Sequence, residues 1–187
     1  MEKQEFKKNE ERLRKLWDNF KCSNIQITRV PEGEEEGQEI ENLFEQIMKE
    51  NFPNVVKELD IQVQEAQRVT KKLDPRRNTP RHIIITLPTI KDKERILKAA
   101  REKEAVTYKG VPIRLPADFS KETLLARRGS KEVFKVMESE DLQHRLLYPA
   151  RLSFRMVGQI KCFPYKVMLK EFIVVKPLLY EMLKTLI

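Results

Sequence analysis

At 187 residues, with 40% hydrophobic and 35% charged side chains, the chain has room for one or two small cores beneath a heavily charged surface. No apolar run approaches the roughly 20 residues of a membrane span. The start, Met1-Glu2-Lys3-Gln4-Glu5, lacks the apolar stretch of a secretory leader. Cys22 and Cys162 fit neither a zinc spacing nor a disulfide framework and read as free thiols in a reducing compartment.

The net charge of +8 is unevenly spread. Residues 1–67 hold 10 Lys+Arg against 16 Asp+Glu, residues 68–118 hold 14 against 6, and residues 119–187 hold 13 against 7. A basic body behind an acidic leader points to a polyanionic partner. Composition alone leaves RNA, DNA and a membrane surface open.

In chain order, the first twenty residues predict one helix. Phe6, Asn9, Leu13, Leu16 and Phe20 are spaced 3, 4, 3, 4 between Lys, Glu and Arg flanks. That is an a/d seam, with Asn9 as a polar core position able to fix register or strand number. It reads either as the end of a coiled coil, making these five the oligomerisation residues, or as an amphipathic helix packed on its own domain. Pro31-Glu-Gly-Glu-Glu-Glu-Gly follows the first strand and reads as a solvated acidic turn.

Residues 24–118 read as strand, helix, strand, strand, helix, strand. Asn24–Val30 alternates, with Ile25, Ile27 and Arg29 on one face and Gln26, Thr28 and Val30 on the other. Ile40, Leu43, Phe44, Ile47 and Met48 mark a helix over 38–52, stopped at Asn51-Phe52-Pro53. Residues 61–67 read as a strand, 70–80 as a basic loop, and Arg81–Leu87 as a β-branched strand. Ile90, Ile96, Leu97 and Ala100 mark a second helix, and Val106–Leu115 holds a strand or a hairpin around Lys109-Gly110. The βαββαβ order predicts an RRM-like sandwich with two helices on one face of a four-stranded sheet.

Beyond the linker at Pro116, Ser120 is a candidate N-cap for a helix running to about Glu138. Two strands are expected at Arg151–Met156 and Gln159–Phe163, turning at Gly158. Two helices are expected to close the chain, near Tyr165–Val174 and Pro177–Leu186. The expected class is therefore α+β in three parts: a coiled-coil stub over 1–23, an RRM-like domain over 24–118 and a small α/β C-terminal domain over 119–187.

Catalysis has little support. The chain has no phosphate-binding Walker loop, no GxSxG, no HExxH and no compact acid cluster for a metal. His82 lies in an apolar strand, where a structural role is the simpler reading. Neither an enzymatic activity nor a cofactor is expected.

The basic residues carry more information. Lys71, Lys72, Arg76, Arg77 and Arg81 crowd eleven positions, and a flexible loop of this kind can follow an irregular phosphate backbone. Lys93, Arg95, Lys98 and Arg101 alternate with acids and read mostly as a solvated helix face. Arg128, Lys131 and Lys135 form a stripe on the long helix with Arg127 beside them. The stripe reads either as the wall of a cleft between domains or as side chains snorkelling over an apolar seam. Tyr148-Pro149, then Arg151 and Arg155, set a candidate stacking ring beside further charge, although a core tyrosine fits nearly as well. The central strands offer Ile25, Ile27 and Ile83-Ile84-Ile85 where RRM domains place stacking aromatics. Binding is thus expected to be phosphate-driven, weakly selective and steeply salt-dependent.

Three longer stretches carry a family resemblance: Thr79-Pro-Arg-His-Ile-Ile-Ile, Lys93-Glu-Arg-Ile-Leu-Lys-Ala-Ala-Arg-Glu-Lys and Pro112-Ile-Arg-Leu-Pro-Ala-Asp-Phe-Ser-Lys-Glu-Thr-Leu-Leu-Ala-Arg-Arg. Asn51-Phe-Pro-Asn and Leu147-Tyr-Pro-Ala-Arg-Leu-Ser-Phe support them. From about residue 8 onward the chain resembles the LINE-1 open-reading-frame-one proteins, the transposase 22 family. The resemblance implies a coiled-coil homotrimer that coats its own messenger RNA, forms cytoplasmic ribonucleoprotein particles with a nuclear phase, and chaperones nucleic acid during retrotransposition. Single-stranded RNA is the implied partner, with single-stranded DNA beside it and no membrane.

The family's RNA-contacting arginines fall on Arg76, Arg77, Arg101, Arg127 and Arg128, and its tyrosine before proline on Tyr148. Lys131 and Arg151 join them by position, while Lys72 keeps the charge of a family arginine without its fork. Gln26 and Thr86 stand where familiar members carry arginine, and Ser130 near where they carry tryptophan. The upstream coiled coil is mostly missing and the chain stops soon after its last helix, so trimerisation is expected of a longer chain. The departures leave a second reading open, a domesticated protein-interaction adaptor without RNA binding.

Overall fold

A computed structural model describes residues 2–181 except 71, 73, 140, 157, 165, 176, 178 and 179. It is a mixed α and β chain in two compact units, one formed by Asn19–Asp118 and the other by Met1–Asp18 with Phe119–Ile187.

The unit 19–118 follows α1 (Glu2–Phe20) and contains β1 (Asn24–Ile27), α2 (Ile40–Asn51), α3 (Pro53–Glu58), β2 (Glu65–Val69), β3 (His82–Thr86), α4 (Ile90–Glu102), β4 (Val106–Tyr108) and β5 (Val111–Ile113). The first three strands form an antiparallel sheet in the order β1-β3-β2, with Ile25 opposite Ile85 and Ile27 opposite Ile83. Alternation sends these four isoleucines to one face, where they are fully buried with Leu43, Phe44 and Ile47 of α2 and Ile96 of α4. Ile84 points to the other face and is only half-buried.

The fourth strand of the expected sheet is a bridged edge segment. Residues 114–117 run along the free side of β1, joined by bonds from Thr28 N–H to the Arg114 carbonyl (3.0 Å) and from Gln26 N–H to the Pro116 carbonyl (2.9 Å). Pro116 donates no backbone hydrogen bond, which suits an edge. Val106–Leu115 folds as the hairpin β4-β5, because Lys109 (φ 50°) and Gly110 (φ 78°) take the left-handed pair that a tight hairpin needs.

Local expectations fail at three places in this unit. Val30, expected on the outer face, is buried in the core, because Arg29 at φ 74° breaks the alternation and leaves its own side chain exposed. The strand expected over 61–67 is ordered only from Glu65, since β3 offers five residues to pair with; Ile61 and Val63 pack loosely on the core instead. Lys93, read as part of a solvated helix face, is buried and donates to the Cys22 carbonyl at 2.7 Å.

The other unit contains α5 (Lys121–Gly129), α6 (Lys131–Ser139), β6 (His144–Leu147), β7 (Arg151–Met156), β8 (Gln159–Phe163) and α7 (Lys166–Val174). The helix expected from 120 to 138 is two helices. Gly129 and Ser130 interrupt it: the Ser130 hydroxyl bonds back to the Ala126 carbonyl (3.0 Å) and its N–H to the Arg127 carbonyl (3.3 Å). Strands β7 and β8 turn at Gly158 as expected, and β6 adds a third strand that the pattern did not signal. Val133, Met137, Leu152, Phe154, Phe163, Leu169 and Ile173 form the core. Most of the helix expected over Pro177–Leu186, together with Tyr165, lies outside the described residues.

Helix α1 is anchored to this unit by its last turn. The Asp18 carboxylate, 3% exposed, accepts hydrogen bonds from the hydroxyls of Ser120 (3.2 Å) and Thr123 (2.7 Å), and the Tyr148 hydroxyl donates to the Asp18 carbonyl. Ser120 Oγ in turn accepts from the Thr123 N–H, so the expected N-cap is also the joint to α1. Along the predicted seam, Asn9, Leu13, Leu16 and Phe20 are exposed, as is Trp17; the Phe6 side chain lies outside those described.

Candidate nucleic-acid interface

The basic loop between β2 and β3 presents Arg76 and Arg77 by turn chemistry. Asp74 and Pro75 occupy the first two positions of a turn closed by Arg77 N–H to the Asp74 carbonyl (3.0 Å), and Asp74 Oδ1 caps the Arg76 N–H (3.0 Å). Both arginine side chains are exposed, as is Lys72, and neither guanidinium has an ion-pair partner among the described residues. Lys71 lies outside the described residues.

The nearby Arg81, expected to work with them, is engaged elsewhere. Its Nη2 meets Glu32 Oε2 at 2.8 Å, its Nε lies 3.2 Å from both carboxylate oxygens, and its backbone N–H reaches Oε1 at 2.6 Å. Hydrogen bonds from the Arg81 side chain hold the Glu32 carboxyl below its ordinary range, and Glu32 raises Arg81 in return.

The acidic turn is therefore not merely solvated. Glu35 takes a two-pronged pair from Arg68 at 2.7 and 2.8 Å, and Glu34 pairs with Lys109. Arg68, which nothing in the local pattern singled out, is 6% exposed and also donates to the carbonyls of Pro31 (2.6 Å), Arg81 (2.9 Å) and Val30 (3.3 Å). Burial pushes the Glu35 pKa up, but the hydrogen bonds and charge of Arg68 outweigh it, and the net shift is downward.

The open face of the β1-β3-β2 sheet shows Gln26, Ile84, Thr86 and Gln67, with a short hydrogen bond between Gln26 Nε2 and His82 Nδ1. Apart from the His82 imidazole these cross-strand partners supply no ring, and His82 is held by a neighbour, in line with its structural reading. Arg101, in the last turn of α4, is exposed and lines a hollow of about 410 Å³ with Arg29 and Arg114. Sequence reasoning passed over the latter two because they lie 72 and 13 residues from Arg101 with no shared motif.

In the other unit the predicted residues separate into two groups. Arg128, Lys131, Lys135 and Arg151 are exposed and free to meet solvent or a ligand. The break at Ser130 divides the expected stripe between α5 and α6. Arg127 and Tyr148 are half-buried and occupied: the Arg127 guanidinium lies 4.5 Å from the Phe119 ring centroid and donates to the Pro149 carbonyl (2.8 Å), while Tyr148 stacks on Phe119 at 5.8 Å. Their first task is to hold the turn before β7 against the start of α5. Among the described residues no group of His, Cys, Asp and Glu could hold a metal, and no helix is long and apolar enough to cross a membrane.

The class the fold defines is a pair of small α+β units with antiparallel sheets, each exposing arginines and lysines that meet no carboxylate among the described residues. Comparison with known families gives that class a lineage. Residues 22–118 match the L1 transposable element RBD-like domain and residues 121–185 the L1 transposable element dsRBD-like domain, so the chain belongs to the LINE-1 transposase 22 family. It is 41% identical over 169 residues to the mouse LINE-1 retrotransposable element ORF1 protein, covering 90% of this chain and 47% of that one. It is also 36% identical to mouse and 37% identical to human LINE-1 type transposase domain-containing protein 1, over 95% and 86% of this chain but only 23% and 18% of theirs. The chain thus spans less than half the length of these relatives.

Proposed function

We propose that the chain binds single-stranded RNA, and by the same chemistry single-stranded DNA, with little regard for sequence. In this reading it is a nucleic-acid chaperone that packages retrotransposon RNA into cytoplasmic ribonucleoprotein particles, with a nuclear phase during transposition, and it is not an enzyme. The observation that carries the reading is Arg76-Arg77, exposed on a turn with no ion-pair partner among the described residues, within a chain that matches RBD-like and dsRBD-like family domains. The RRM-like order of elements in 24–118 supports it, with phosphate contacts replacing the missing stacking rings. The exposed Leu13, Leu16 and Phe20 on α1 support a homotrimer through the longer coiled coil, which would multiply weak single-site contacts through effective concentration.

A second reading, a domesticated protein-interaction adaptor, is favoured by one set of observations: Arg81, Arg127 and Tyr148 are all engaged within the fold. The experiment that separates the two is a salt titration of binding to a fluorescent 30-nucleotide RNA, with a matched duplex and a scrambled strand as controls. RNA chaperone function requires binding that falls linearly on log–log axes and ignores sequence. Absence of binding at low salt would reject it in favour of the adaptor.

A further inference from the structure

We propose that the hollow between the end of α4 and the edge segment 112–116 is a second phosphodiester site, in which Arg29 and Arg114 act together with Arg101. The proposal rests on the nucleic-acid reading above and adds to it two residues and a place. Apart from Arg76 and Arg77 on the loop, the arginines of the unit 19–118 fall into two sets. Arg68, Arg81 and Arg95 are each salt-bridged to a glutamate. Arg29, Arg101 and Arg114 have no carboxylate partner among the described residues, and all three line this one hollow of about 410 Å³. Lys103 also borders it, but its ammonium is already bonded to the Asn51 carbonyl (3.2 Å) and Oδ1 (3.0 Å). Glu104 is the one acid among the lining residues.

The backbone explains the convergence. Thr28 and Arg114 pair across an antiparallel bridge, with bonds of 3.0 and 3.2 Å in the two directions, so the stems of Arg29 and Arg114 leave adjacent backbone. Arg29 holds a left-handed φ of 74°, a conformation that a non-glycine residue adopts at a free-energy cost. That kink buries Val30 and leaves the Arg29 side chain on the surface beside Arg114. Arg101 enters from the last turn of α4, where a cation suits the helix end. Three guanidinium charges in one concavity, with the Lys103 ammonium beside them and a single acid, repel one another unless an anion joins them. Guanidinium forks match the paired oxygens of a phosphodiester, and the strand backbone supplies such groups in series.

The test compares the full chain with Arg29→Ala/Arg114→Ala and with Arg76→Ala/Arg77→Ala, each binding a fluorescent 20-nucleotide oligouridylate and its uncharged methylphosphonate analogue over a salt series. If the hollow grips two phosphates, the Arg29/Arg114 variant binds at least tenfold more weakly at low salt. Its log–log salt slope falls by about 1.4, at roughly 0.7 per phosphate on a single strand, and its binding of the uncharged analogue matches the parent's. Arg29→Gly serves as the second variant, because glycine takes the left-handed backbone freely and keeps the fold; it is expected to lower the slope by about 0.7. A parent that binds while both the double variant and Arg29→Gly match it in affinity and slope overturns the hollow and leaves the nucleic-acid reading intact. A parent that does not bind the oligouridylate overturns both.

Discussion

The sharpest test of how the basic loop works is the contrast between Arg76-Arg77 and Arg81, which sit within six positions of one another but differ in their surroundings. Arg76 and Arg77 are exposed on a turn with no ion-pair partner among the described residues, whereas Arg81 makes a bidentate pair to Glu32 at side-chain exposures of 16% and 28%. A charge-assisted contact to a phosphate from a solvated loop is worth about 1 kcal/mol, the upper end for exposed ion pairs. Arg76→Ala/Arg77→Ala therefore should cost about 2 kcal/mol, or roughly 30-fold in Kd at low salt. The salt slope should fall by about 1.4, so that raising salt threefold narrows the gap between parent and variant by about fivefold. Arg81→Ala should leave both affinity and slope close to the parent's but lower the urea midpoint, since it strips Glu32 of its partner. Fluorescence anisotropy in a salt series gives the first pair of numbers and urea denaturation the last. If Arg81→Ala lowers the slope as much as the double variant, the reasoning that an internal glutamate removes Arg81 from the interface is refuted.

Two further outcomes follow from the same acidic turn. Arg68→Met should destabilise the unit 19–118 by about 3 kcal/mol, because it leaves Glu35 and three carbonyls without their donor; urea midpoints would measure this, and a loss under about 1 kcal/mol would contradict it. Stability should also fall with acid: the folded pKa values of Glu32 and Glu35 lie below the ordinary 4.5, so their contribution is present above that value and is lost as pH falls through the lower folded values. Thermal melts between pH 7 and 3 should drop below pH 4.5, and Glu32→Gln/Glu35→Gln should flatten that drop.

Much of this architecture could be read from local pattern because local pattern causes it. The isoleucine alternation in β1 and β3, the helix stop at Asn51-Phe52-Pro53, the Lys109-Gly110 hairpin and the Gly158 turn each follow from a few adjacent residues. What escaped the reading depends on partners far along the chain. Arg68 looks like any strand arginine until Glu35, 33 residues earlier, folds beneath it. Lys93 is charged and flanked by acids, yet its helix turns it toward the Cys22 carbonyl, 71 residues away. Strand β6 carries no alternation strong enough to declare itself without β7 alongside. Val30 was misplaced because Arg29, not glycine, takes the left-handed kink. The candidate interface divides the same way: Arg76 and Arg77 are a sequence-local cluster, whereas Arg29, Arg101 and Arg114 meet only in the fold. The basic residues that looked most functional beside Tyr148 turned out to include Arg127, whose ring and carbonyl contacts already occupy it.

The buried Asp18 carries a consequence for how the protein is made. The part of α1 up to Asp18 belongs to a unit whose other part begins at Phe119, so the ribosome must add the whole of 19–118 before Ser120 and Thr123 exist to donate to the Asp18 carboxylate. At about 5–20 residues per second that interval is roughly 5–20 s. The intervening unit can close its own core during the wait, since its sheet pairings and its buried cluster lie between Asn19 and Asp118. The flanking unit must instead join two distant pieces of chain, the slower kind of closure. Through that interval Leu13 and Leu16 of α1, exposed in the folded chain, have no finished unit behind them.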